Sequence, residues 1–150
     1  MSKVKQASQE RRSRGQEMVA KLVSERTEML ALFCRLAGVE SYAPESKPVQ
    51  KLLQEFCQIL VDYIAAGHFV LYERIVEGTE RRREISELAE KLYPRIAETT
   101  DTALDFNDKY DCEDHCEALD GLSSDLSRLG EQLALRIELE DRLLAGMIGR

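Results

Sequence analysis

The chain is 150 residues long, which suits one domain built around a single hydrophobic core and is too short for two such domains. With three prolines, eight glycines, no tryptophan and 33% charged residues, its composition favours α-helix over sheet. A formal net charge of -7 argues against attraction of the whole surface to nucleic acid, so we expect no direct nucleic-acid binding.

The N-terminal sequence indicates where the protein works. Residues 1–16, MSKVKQASQERRSRGQ, lack the apolar core of a signal peptide. No later segment approaches the roughly 20 apolar residues that a membrane span requires. We therefore expect a cytoplasmic protein without membrane contacts, in which residues 1–15 form a flexible basic arm.

Two long helices with a loop between them are predicted in the first half of the chain. Apolar residues recur close to the helical period over Glu10–Ala37, and Gly38 supplies a stop signal. Residues 38–48 are predicted to form a loop, because each of the two prolines in this segment disfavours helix in the residue before it. A second helix is predicted over Val49–Glu77.

Two further helices are predicted in the second half. The third helix continues through Pro94, because its apolar residues keep helical spacing on both sides, and we expect a kink near Tyr93. The fourth helix has apolar residues at nearly heptad spacing, which are Leu119, Leu122, Leu126, Leu129, Leu133, Ile137 and Leu144. Helices of about 28 residues are roughly 40 Å long. The sequence therefore predicts an all-α protein, an elongated up-down four-helix bundle.

Acidic residues are concentrated in the C-terminal half of the chain. Residues 101–141 contain thirteen acidic residues and three basic residues. Such a segment either keeps the protein soluble or attracts a basic partner.

The second predicted helix has a glycine at an apolar position. Placed about 100° apart around the helix axis, its core-facing residues fall within one arc. These residues are Leu52, Leu53, Phe56, Leu60, Tyr63, Gly67 and Leu71. Glycine inside a helix costs about 1 kcal/mol relative to alanine. We therefore expect Gly67 to allow close approach of a neighbouring helix, opposite a bulky side chain.

A second face of the same helix combines apolar and acidic residues. We call it the contact patch, and it comprises Asp62, Ala65, Ala66, Phe69, Tyr72 and Glu73. A phenylalanine over two alanines, flanked by carboxylates, forms a shallow apolar notch with an acidic rim. This composition is typical of a protein-binding surface, where a buried aromatic residue supplies affinity. The alternative is that another helix covers this face and that Phe69 belongs to the core.

A histidine and a cysteine–histidine cluster suggest two other functions. His68 lies in mid-helix, as the phosphoacceptor of histidine phosphotransfer domains does, although a structural hydrogen-bonding role is also open. Cys112, His115 and Cys116 share one face if they are helical and resemble metal ligands. A tetrahedral site would need a fourth ligand from another helix, for which Cys34 and Cys57 are the candidates. The chain has no phosphate-binding glycine loop or nucleophile motif. We expect neither catalysis nor a cofactor, and a phosphotransfer or metal-binding bundle is the alternative function.

One long segment resembles a known family. FCQILVDYIAAGHFVLYERI, residues 56–75, is similar to the signature of the Rsd/AlgQ family, bacterial regulators that bind the primary sigma factor of RNA polymerase. Residues 92–106 and 130–144 support the resemblance. The chain departs from the family at Leu22, where the family often has tryptophan.

The resemblance implies both an architecture and a function. The expected fold is an elongated four-helix bundle without catalysis. The expected function is an anti-sigma regulator that binds the C-terminal, promoter-reading domain of the primary sigma factor. It would occlude the promoter and core polymerase contacts of that domain and favour alternative sigma factors. The implied contact region includes Asp62, Ala65 and Phe69. At the position of Ala65 the family commonly has serine. Whether the protein is a monomer or a homodimer stays open.

Overall fold

The computed structural model describes residues 2–38, 47–71, 83–110, 119 and 121–148. These residues form four helices, which are α1 (Ser2–Ala37), α2 (Lys47–His68), α3 (Arg83–Tyr110) and α4 (Leu122–Ile148). No strand occurs in the described ranges. The main interfaces join α1 to α2, α2 to α3 and α3 to α4, and a smaller one joins α1 to α4. The prediction of an all-α four-helix bundle is confirmed.

The helix boundaries differ from the predicted ones at several points. Helix α1 begins at Ser2, earlier than the predicted Glu10, and at 36 residues it is about 54 Å long. Its predicted end is confirmed, since the backbone N–H of Gly38 donates to the carbonyl of Cys34 at 3.0 Å. Helix α2 ends at His68 and continues as a π-helical turn over residues 69–71. The predicted continuation to Glu77 lies outside the described residues.

Helices α3 and α4 follow the predicted apolar stripes. Helix α3 contains Pro94 and continues without interruption to Tyr110. The kink near Tyr93 stays a prediction. Helix α4 begins at Leu122, after the predicted Leu119, whose side chain is nevertheless buried.

An aromatic series connects three of the helices. Phe33 of α1, Phe56 of α2 and Phe106 of α3 lie with successive ring centroids 6.0 and 5.8 Å apart. A Cβ atom on Gly130 of α4 would lie 2.8 Å from Cζ of Phe33, so the absent side chain makes room for that ring. Residues from all four helices therefore pack closely in the core.

Helices α3 and α4 are also joined at their connected ends. Lys109 Nζ donates to Asp125 Oδ2 at 2.7 Å, and the Tyr110 hydroxyl donates to the same carboxylate oxygen. These hydrogen bonds hold the pKa of the Asp125 carboxyl below its usual range. The contact fixes the start of α4 against the end of α3.

Candidate functional site

The contact patch lies at the C-terminal end of α2 and in the turn that follows. Phe69 is 52% exposed and therefore does not belong to the core. Ala65 is exposed and Asp62 is partly exposed, whereas Ala66 is buried at 8% exposure. Tyr72 and Glu73 lie outside the described residues. The structure thus leaves an aromatic side chain on the surface, and the alternative in which another helix buries it is wrong.

The edges of the patch are polar. Gln58 Nε2 donates to Asp62 Oδ1 at 3.2 Å, one helical turn away along α2. His68 is exposed, and its ring centroid lies 6.1 Å from that of Phe69 in an edge-on arrangement. A protein that docks on Phe69 would therefore contact Gln58, Asp62 and His68 at the edge of the interface.

A cleft of about 400 Å³ opens between α2 and α3 beside the patch. Ala65 and Phe69 line it from α2 and the following turn, and Ala97 and Leu104 line it from α3. Leu104 is 41% exposed, so the mouth of the cleft presents apolar side chains from both walls. Leu104 was not identified as a site residue from the sequence. Its position outside the core stripe of its helix could have indicated an exposed apolar side chain.

The base of the cleft is formed by a buried arginine. Arg136 lines the cleft but is 2% exposed, and its Nε donates to Glu140 Oε2 at 3.1 Å. Its Nη1 donates to the hydroxyl of Thr100 at 2.6 Å. The Tyr63 hydroxyl donates to the other carboxylate oxygen of Glu140, which is 0% exposed. Side chains of α2, α3 and α4 therefore meet in one buried polar network.

Helix α1 completes the network from the opposite side. Arg26 Nη2 donates to Glu140 Oε1 at 3.1 Å, and Arg26 Nη1 donates to Asp141 Oδ1 at 2.8 Å. Burial, together with the negative charge of Glu140, raises the pKa of Tyr63 far above its usual range. Tyr63 therefore stays protonated and keeps donating its hydrogen bond. Each arginine of the network has a carboxylate partner: Arg26 and Arg136 share the buried Glu140, and Arg26 also pairs with the more exposed Asp141.

Gly67 makes space for this network. A Cβ atom at Gly67 would lie 2.9 Å from Arg136 Nη2 and 3.0 Å from Glu140 Oε2. These distances are shorter than ordinary van der Waals contacts, and both neighbours are held by hydrogen bonds. The prediction that Gly67 lies opposite a bulky side chain is confirmed, and that side chain belongs to an ion pair of α4.

Replacing Gly67 with alanine should therefore destabilise the fold. The gain in helix propensity is about 1 kcal/mol, but crowding of buried groups typically costs more, so we expect a net loss of about 1–2 kcal/mol. Chemical denaturation measures this difference. Gly121→Ala is the control for an uncrowded glycine, because Gly121 lies just before α4 and a Cβ atom there would lie 3.6 Å or more from its neighbours. A variant at Gly67 as stable as this control would contradict the crowding.

The described residues bear on the alternative functions only in part. Cys112, His115 and Cys116 lie outside the described ranges. Within those ranges, no group of three histidine, cysteine or acidic side chains is arranged to hold a metal ion. Among the described helices, none is both long enough and apolar enough to cross a membrane.

The described residues form a four-helix bundle around one core, with an exposed aromatic side chain beside an apolar cleft, a combination typical of protein-binding surfaces. Residues 1–148 match the profile of the family described as Regulator of RNA polymerase sigma(70) subunit, Rsd/AlgQ. The chain therefore belongs to the Rsd/AlgQ family, and the resemblance seen in the sequence is confirmed. The description of the family names regulation of a sigma subunit and no enzymatic reaction.

Several relatives of the chain carry the name Regulator of sigma D. One from Yersinia enterocolitica is 32% identical over 131 residues, which cover 85% of this chain and 78% of the relative. Another, from Shigella dysenteriae, is 34% identical over 134 residues, which cover 85% of this chain and 82% of the relative. The comparison with solved structures found no match.

Proposed function

We propose that this protein binds the C-terminal, promoter-reading domain of the primary sigma factor through the contact patch. The complex covers the promoter and core polymerase contacts of that domain, which leaves polymerase available to alternative sigma factors. The observation that carries the proposal is the exposure of Phe69 on an acidic bundle that belongs to a family of sigma regulators.

Phe69 has the properties of the residue that dominates a protein interface. Aromatic side chains that become fully desolvated in a complex often supply most of its affinity. Phe69 is 52% exposed and lies in the π-helical turn that directly follows α2. The small side chain of Ala65 beside it leaves a partner room to surround the ring.

The negative charge of the protein is consistent with a partner that normally binds DNA. A domain that grips phosphates displays lysine and arginine, and that surface is attracted to an acidic one. Helix α3 carries seven exposed carboxylates, and the four in its C-terminal half follow one another at spacings of three, four and three residues, which places them along one face. They are Glu98, Asp101, Asp105 and Asp108. An acidic bundle can therefore compete with promoter DNA for the same basic surface.

A competition experiment tests this proposal. The C-terminal domain of the primary sigma factor is bound to a fluorescent duplex that carries its promoter element, and the protein is titrated in. We expect the anisotropy to fall to that of free DNA, because one basic surface cannot hold both ligands. The attraction should weaken as salt rises.

The control is the corresponding domain of an alternative sigma factor on its own promoter element. Its anisotropy should not change when the protein is added. An unchanged signal with the primary sigma domain, or a rise that indicates a ternary complex, would refute occlusion.

A further inference from the structure

The cleft between α2 and α3 is wide enough to accept a side chain from another protein. Its volume of about 400 Å³ falls in the range of roughly 300–1,000 Å³ that is usual for ligand pockets. Most of its lining is apolar, with Ile64 and Ala65 on one wall and Ala97 and Leu104 on the other. A large apolar group entering the cleft would exchange water for contacts on both sides.

Exposed apolar side chains concentrate at the mouth of this cleft. Among the described residues, three large hydrophobic side chains are exposed, and two of them, Phe69 and Leu104, line the cleft. The third, Val23, lies on α1. The apolar surface left without a partner therefore extends from α2 onto α3.

The base of the cleft selects against a charged occupant. Arg136 is 2% exposed and already pairs with Glu140 at 3.1 Å, so it is not open to pair with a charged group that enters the cleft. Burying an unpaired charge there would cost several kcal/mol. The occupant that fits is an uncharged, mainly apolar side chain.

The surroundings of the cleft favour a positively charged partner. Asp101 lines the cleft, and it lies on the same face of α3 as the exposed Glu98, Asp105 and Asp108. Asp62 adds a partly exposed carboxylate on α2. An apolar side chain would fit the apolar walls of the cleft, and the basic helix that carries it would be attracted to the carboxylates around the cleft.

We propose that this cleft receives one large, uncharged side chain from a basic helix of the sigma factor, so that the binding surface spans α2 and α3. The inference rests on the proposed function and adds to it an apolar receptor pocket. Leu104 and Asp101 of α3 are then contact residues, together with Phe69.

Filling the cleft tests the inference. Ala97→Phe places a ring in the cleft from a half-buried position outside the buried polar network. We expect the dissociation constant for the sigma C-terminal domain to rise at least tenfold. Ala134→Phe is the matched control, because it makes the same change at an exposed position of α4, and its dissociation constant should stay within twofold of the unmodified protein.

A second variant guards against misfolding. Leu104→Ala removes a side chain that is 41% exposed, which should leave the fold intact, and it should raise the dissociation constant at least fivefold. Far-UV circular dichroism and the thermal midpoint are measured for every variant. Unchanged binding by a folded Ala97→Phe or Leu104→Ala variant overturns the inference, as does equal loss in Ala134→Phe.

The outcomes also separate this inference from the proposed function. If Phe69→Ala loses affinity while Ala97→Phe and Leu104→Ala bind normally, the partner docks on α2 alone and only the cleft is rejected. If the unmodified protein does not bind the sigma domain at all, both proposals fail.

Discussion

Replacing Glu140 with alanine is expected to lower the free energy of unfolding by about 3–5 kcal/mol, the usual cost of removing one partner from a buried ion pair. Glu140 is 0% exposed and accepts hydrogen bonds from Tyr63, Arg26 and Arg136. Arg136 is 2% exposed, and removing Glu140 takes away its carboxylate partner. Tyr63 also loses the acceptor of its hydroxyl, which adds the cost of an unsatisfied buried donor.

Asp141→Ala is the control for this prediction. Asp141 is adjacent in sequence and pairs with the same Arg26 at 2.8 Å, but its side chain is 57% exposed. Exposed ion pairs are typically worth about 0–1 kcal/mol, so its removal should change stability by no more than that. Urea denaturation of both variants gives the comparison. Equal stability of the two variants would contradict the view that a buried network holds the four helices in register.

Much of the fold was predictable because helical periodicity is local. The stripe of α3 persists on both sides of Pro94, and the helix is indeed continuous there. Helix ends were predicted well only where a strong signal was present, as at Gly38. The start of α1 at Ser2 was missed, because the sequence before Glu10 is polar and basic and has no apolar stripe to mark a helix.

The buried network could not be predicted in the same way. Arg136 and Glu140 lie one turn apart on α4 and resemble an ordinary surface ion pair in the sequence. Their burial depends on side chains of three other helices, including Tyr63 and Arg26, which are distant in sequence. Gly67 indicated that something bulky lies opposite α2, but periodicity cannot say which residue fills the space.

The candidate site was predicted on α2 and missed on α3. Asp62, Ala65 and Phe69 belong to one helix and its following turn, so their spacing alone places them together. The opposite wall of the cleft depends on how α3 is rotated about its axis relative to α2, which only the packed structure defines. Leu104 therefore became visible as part of the site once its exposure and the cleft were known.

Phe69→Ala is expected to have the largest effect on binding. If the ring is the dominant residue of the interface, truncating it should cost about 2–4 kcal/mol, which corresponds to a loss of roughly 30-fold or more in affinity for the sigma domain. The loss should appear mainly as faster dissociation, because the charges that guide association are unchanged. The stability of the fold should change little, since the ring is 52% exposed.

The most direct measurement is the dissociation constant of the primary sigma C-terminal domain for the unmodified protein, for Phe69→Ala and for Val23→Ala. Val23 is 43% exposed on α1 and serves as a matched apolar surface residue outside the contact patch. We expect saturable binding by the unmodified protein, an affinity reduced roughly 30-fold or more for Phe69→Ala, and no change for Val23→Ala. Equal affinities for all three proteins, or no binding by any of them, would contradict the assignment of this surface to the sigma factor.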